Sequence, residues 1–152
     1  MVFRMTLDQL DEKILDELSI NSRASFREIS RKLNVSIATV ITRVNKLEKE
    51  GIIKHYTAYL DHEKLGYDIT AIIEVLVEKG KVIEVEQKIA KHKNVVSVYD
   101  ITGEKDIVVI AKFKTRAELN RFIKTTLSAE HIERTNTHIV LNAVKEDFRL
   151  IK

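Results

Sequence analysis

The spacing of apolar residues changes once along this chain of 152 residues, at Gly51, and that change limits what the chain can fold into. Before Gly51 the apolar positions recur every three or four residues. After it they first alternate and then mix alternating with helical runs. The early part contains three short amphipathic stretches: Leu10, Ile14 and Leu18; then Phe26, Ile29 and Leu33; then Val40, Val44 and Leu47. Helices this short are marginal alone, so their apolar faces must pack on one another. The boundaries carry capping signals. Ser25 with Glu28 is a capping-box pattern, Ser36 is an N-cap residue, and Gly51 supplies a left-handed stop. The first helix starts at Thr6 or at Asp8. Between the second and third stretches lies the turn Asn34-Val35-Ser36, which makes them a helix-turn-helix.

Charge follows the same division. From Asn21 to His55 the chain carries eight basic residues and three acidic ones, a net +5, against +3 for the whole chain. From Met1 to Ile20 the net charge is −3. Basic charge gathered on the second and third helices suits the phosphates of double-stranded DNA. On the third helix, at about 100° per residue, Ala38, Thr42, Asn45 and Lys49 fall opposite the core face set by Val40. Thr39, Arg43 and Lys46 flank it. Ala38, Thr39 and Thr42, with Ser36 at the helix start, are expected at base edges, where methyl groups meet thymine methyls. Arg43 is expected at a guanine edge or a phosphate, and Lys46, Arg23 and Arg27 at phosphates. The bland alternative is a solvated basic surface on a small bundle.

Other features narrow the class. The chain has no cysteine, which removes disulfides and thiolate metal sites. Neither a membrane-length apolar run nor a signal peptide is legible, so a cytoplasmic protein without membrane contact is expected. Four separated glycines form no phosphate loop or dinucleotide fingerprint, and no pair of the five histidines has helical zinc spacing. No cofactor, metal site or enzymatic activity is expected.

After Gly51, residues 53–59 alternate as an extended strand would, and Asp61 to Gly66 reads as a short helical turn that serves as a hinge. From Asp68 the pattern is strand (Ile69 to Glu78), helix (Val82, Val85, Ile89), strand (Val95 to Thr102), strand (Ile107 to Phe113), helix (Leu119, Phe122, Ile123) and strand (Thr135 to Val144). This βαββαβ order is a ferredoxin-like α+β unit. Apolar residues on both faces of the last strand (Ile139, Leu141 and Ala143 against Val140 and Val144) predict burial on both sides, hence a dimer through the sheets. The expected domains are 1–52, a helix-turn-helix; 53–67, a wing strand and hinge; and 68–152, the ferredoxin-like unit.

Five motifs in this order resemble the Lrp/AsnC family of bacterial and archaeal transcription regulators, and the chain is similar to an archaeal member. They are Leu7-Asp8-x-x-Asp11-x-x-Ile14-Leu15, Asn21-Ser22-Arg23, Arg43-Val44-x-x-Leu47-Glu48-x-x-Gly51-Ile52-Ile53, Leu65-Gly66-Tyr67 and Thr102-Gly103-x-x-Asp106. The resemblance implies a winged helix-turn-helix and a C-terminal domain that binds an amino acid or related metabolite. It also implies homodimers that assemble into tetramers or octamers. Its effector positions correspond here to Thr102, Gly103, Glu104, Lys105 and Asp106, with Thr135 and Thr137. Asp106 would accept a ligand ammonium and the turn amides a carboxylate; a plain hairpin is the alternative. Two positions depart from the family pattern: His62 replaces a common Pro in the hinge, and Lys105 replaces a bulky apolar or aromatic residue. Two other functions are compatible with this outline: an architectural DNA-binding protein without effector, and a tetrapyrrole decarboxylase of related fold.

Overall fold

A computed structural model describes residues 7–149, which form two units. One takes the described residues up to Tyr59 together with those from Glu146 on; the other is Leu60–Lys145.

The first unit holds three helices: α1 (Gln9–Ile20), α2 (Phe26–Leu33) and α3 (Ile37–Lys49). Asp8 is the N-cap of α1, its carboxylate accepting from the amides of Leu10 and Asp11, so the helix starts there. Thr6, the other candidate start, lies outside the described residues. Ser25 and Glu28 close the expected capping box on α2. Asn34 takes the left-handed conformation that turns the chain toward Ser36, the cap of α3. Ile14, Leu18, Ile29, Val40, Val44 and Leu47 make the buried core. Gly51, at φ +70°, closes the end of α3.

The strand expected over 53–59 does not form. Among the described residues nothing between Gly51 and Tyr67 pairs as a strand. Alternation favours an extended chain, but a strand needs a ladder partner to satisfy its amides, and residues 54–60 run exposed. The C-terminal residues belong to this unit as well, where the sequence assigned all of 68–152 to the second domain. Tyr59 donates its hydroxyl hydrogen to the Glu146 carbonyl. Arg149 pairs with Asp147 at 2.9 Å and donates to the Ser19 carbonyl at 3.3 Å. The last turn of α1 has no basic residue of its own, and Arg149 supplies one.

The second unit is a four-stranded antiparallel sheet of order β2-β3-β1-β4: β1 (Ile69–Val77), β2 (Val95–Asp100), β3 (Ile107–Phe113) and β4 (Ile132–Ile139). With α4 (Val82–Ala90) and α5 (Arg116–Thr125) this is the expected βαββαβ order. Ala71, Ile73, Val75, Val109, Ala111 and Phe113 share a cluster with Val85, Ile89, Leu119 and Phe122, so the helices cover one sheet face. Thr115 caps α5, but Glu118 reaches back to the Lys114 amide rather than to the cap residue.

The last strand is displaced from its expected position. It pairs with β1 from Ile132 to Ile139, and the ladder ends because β1 itself begins at Ile69. Leu141 and Val144, 98% and 92% exposed, lie beyond it. Residues 141–144, expected in the last strand, therefore lie outside it in the single chain. The open sheet face has other apolar residues: Ile72 and Leu76 on β1, Val108 and Ile110 on β3, and Tyr99 on β2.

Candidate DNA interface and effector turn

The start of α3 is built by hydroxyl groups that look inward along the backbone. Ser36 Oγ accepts from the Thr39 amide at 3.0 Å and lies 2.8 Å from Thr39 Oγ1. Thr42 Oγ1 donates to the Ala38 carbonyl at 2.9 Å. Such bonds satisfy orphan donors of the first turn and hold the threonine side chains in fixed rotamers. Ser36, Ala38 and Thr42 are exposed and Thr39 is half-buried.

Arg43 has a second partner set that the sequence did not reveal. Its Nη1 donates to Asp8, and to Asp11 Oδ1 at 3.1 Å. The Asp11 side chain is only 1% exposed. These bonds, to Asp8 first and then Asp11, raise the guanidinium pKa, while the Asp11 amide first and then Arg43 lower that of the Asp8 carboxyl. Arg43 thus ties α3 to the start of α1. A sequence signal existed: Asp11 shares its helix face with Ile14 and Leu18, and an acid on an apolar face requires a cation. Lys32 is similarly committed, to Glu17 at 2.6 Å. Arg23, Arg27 and Lys46 are exposed on the loop after α1, on α2 and on α3.

In the second unit, Thr102 to Asp106 form the turn between β2 and β3, with Gly103 at φ +125°, a conformation that resists a side chain. Thr102, Gly103 and Glu104 are exposed; Lys105 and Asp106 are half-buried. Asp106 does not simply satisfy its own turn. Its Oδ2 accepts from the Val77 amide at 2.8 Å, where the pairing of β1 with β4 shifts register, and its amide donates to the Val75 carbonyl at 3.1 Å. Thr135 and Thr137 lie opposite Val75 and Ile73 across β1, on the helix-covered face. The turn and Thr135 therefore flank the same end of β1 from its two sides, about 10 Å apart by strand spacing. Thr137 lies one dipeptide farther from that end.

Comparison with known proteins gives this arrangement its context. Residues 7–54 match a winged helix-turn-helix DNA-binding domain, and residues 70–150 match the Lrp/AsnC ligand binding domain. An HTH-type transcriptional regulator of Pyrococcus furiosus is 52% identical over 146 residues, covering 96% of this chain and 99% of the relative. The HTH-type transcriptional regulator FL11 of Pyrococcus horikoshii is 40% identical, covering 97% of each chain. E. coli AsnC superposes with a TM-score of 0.88 at 25% identity, covering 94% of this chain and 97% of that one. The Neisseria meningitidis regulator NMB0573, solved as an L-Met complex, superposes with a TM-score of 0.86 at 29% identity, covering 94% and 95%. The helix-turn-helix, the βαββαβ sheet and the matches over nearly the whole length make this chain a member of the Lrp/AsnC family, a DNA-binding transcriptional regulator with a ligand-binding domain.

Proposed function

We propose that this chain is a sequence-specific regulator of transcription whose DNA affinity responds to an amino acid held at the Thr102–Asp106 turn. The observation that supports it most is the position of Asp106. One carboxylate oxygen fixes the end of β1, and the other can receive an ammonium, so ligand binding and the geometry of the sheet end share one side chain. Gly103 lets a ligand carboxylate approach the turn amides. Thr135, from the far side of β1, adds a hydroxyl, and Thr137 extends that row. A solved neighbour of the same fold was crystallised with L-Met, which is consistent with an amino-acid effector here. Lys105 adds a cation to the turn and favours a ligand with a second acidic group over a purely apolar one.

The chain would act as a dimer closed through the open sheet face of Ile72, Leu76, Val108, Ile110 and Tyr99, an apolar surface of the kind that seeks a partner. The dimer would set two α3 helices in successive major grooves of a near-palindromic site. Dimers would assemble further into tetramers or octamers and gain affinity by multivalency. Ser36, Ala38, Thr39 and Thr42 would meet base edges, and Arg23, Arg27 and Lys46 phosphates. Arg43, already tied to α1, would present its outer edge to a phosphate rather than to guanine. The cytoplasm is the fitting compartment. Among the described residues no helix is long and apolar enough to cross a membrane.

The test is fluorescence anisotropy of the full chain on its own upstream DNA against shuffled competitor, with and without pooled amino acids. Preference for the upstream DNA, shifted by the pool, with the shift lost in Asp106→Ala, is expected. Equal binding to both duplexes would instead indicate an architectural protein. An Asp106→Ala variant that responds like the parent would move the effector elsewhere.

A further inference from the structure

Two large apolar side chains stand partly exposed beside the core face of α3. Ile37, its first residue, is 40% exposed, and Ile41, one turn later, is 39% exposed. Neither belongs to the apolar cluster that Val40, Val44 and Leu47 complete among the described residues. They are neighbours at i and i+4, and exposed Ala38 lies beside Ile41 at i, i+3. The hydroxyls around them are turned to local partners: those of Ser36 and Thr39 bond each other, and that of Thr42 donates to the helix backbone. Apart from one hydroxyl hydrogen left over by the Ser36–Thr39 pair, the beginning of α3 therefore presents mainly methyl and methylene groups.

Residue choice strengthens the point. Of the eight residues Ile37 to Val44, six are β-branched, a costly composition for a helix. β-Branched side chains are nearly fixed at χ1 in a helix, so they lose little freedom on docking. A stiff apolar row, on a unit that also carries exposed Arg23, Arg27 and Lys46, suits a surface that is apolar at points and lined by phosphates. In the major groove the apolar point is the thymine C5 methyl.

We propose that Ile37 and Ile41 are specificity-determining residues that read thymine methyls in the major groove, so that this chain selects its sites by methyl contacts more than by hydrogen bonds from α3. The proposal rests on the regulator function above and names what its DNA unit recognises.

The experiment lets the full chain select duplexes from a random-sequence pool. The recovered duplex is then resynthesised with deoxyuridine for thymidine, which removes the C5 methyl and leaves base pairing intact. Binding of both duplexes is followed by anisotropy. Affinity for the deoxyuridine duplex should fall roughly fourfold for each methyl that loses an apolar contact. An Ile37→Ala/Ile41→Ala variant should bind the thymidine duplex more weakly and discriminate little between the two. Both positions are exposed and alanine is the better helix former, so its helical content and melting should match the parent. Equal affinity of the parent for both duplexes would overturn the proposal without any variant. A variant that discriminates as the parent does would also overturn it and pass the methyl contacts to Ala38 and Thr42. If the pool yields no preferred duplex at all, sequence-specific regulation itself fails.

Discussion

The sheet unit gathers thirteen buried residues into one apolar cluster, and the helical unit gathers six. The difference has a cause in what each must leave outside. The sheet unit can dedicate one whole face of four strands to α4 and α5. The helical unit must keep one side of α3, and the basic residues of α2, in contact with water or DNA. A core this small contributes limited stability, and polar ties supplement it: Arg43 to Asp8 and Asp11, Ser25 with Glu28, Ser36 with Thr39, and Arg149 to the end of α1. The sheet unit adds its backbone ladders to polar ties of its own, such as Asp106 to the Val77 amide and Asn94 to the Lys112 carbonyl.

This contrast can be broken first at Phe113, fully buried and 5.4 Å from the Phe122 ring. Phe113→Ala should cost the sheet unit about 3–5 kcal/mol, read by denaturant unfolding. Hydrogen exchange in α1 to α3 should change far less than in β1 and β3; equal loss of protection in both units would mean that they unfold as one.

A smaller effect, and one that sharpens the comparison, comes from Arg43→Ala. Removing the guanidinium leaves the Asp11 carboxylate buried without its cation. The helical unit should lose exchange protection and melting temperature while β1 to β4 keep theirs. DNA binding should weaken on every sequence alike, as expected of a strut that also meets phosphate. Loss of site preference with undiminished α1 protection would instead make Arg43 a base reader.

The smallest expected effect is acid sensitivity at His92 in the sheet unit. Its ring packs edge-on against Phe122 at 4.7 Å, and Nδ1 accepts from the Asn94 amide at 3.3 Å. Burial first, and then Lys93, push its pKa below the ordinary 6.5. The unfolded chain thus binds a proton more readily than the folded one. The stability is present above about pH 6.5 and is lost as pH falls through the lower folded value. Denaturant midpoints between about pH 7.5 and 5 should fall in the parent and stay flatter in His92→Leu. An identical slope in both would remove His92 from the account.

Much of the fold was legible because short-range periodicity reports which face is buried. Val40, Val44 and Leu47 marked the core side of α3, and the capping residues Ser25 and Ser36 marked helix starts within a residue. β3 was placed at its observed bounds because a run between Asp106 and Lys114 that is apolar but for Lys112 has few other uses. The misplaced pieces all depend on a partner distant in sequence. β4 slid toward the N-terminus because its extent is set by β1, and the alternating residues 53–59 found no ladder. The turn between β2 and β3 was legible from Gly103 and Asp106, whereas the Val77 amide that Asp106 holds was not.

The sequence by itself determined the two kinds of secondary structure, their order, the basic character of the helical unit and the positions of its caps. Each of these is a property of residues a few positions apart. Tertiary structure decided which charges are free and which are tied. Arg43 and Lys32 look alike in the sequence as parts of a basic face, and the folded chain pairs both with acids of α1. It also decided that Ile37 and Ile41 remain outside the core, since exposure depends on what the other helices leave uncovered. Periodicity is local, whereas pairing and exposure depend on the whole packed chain.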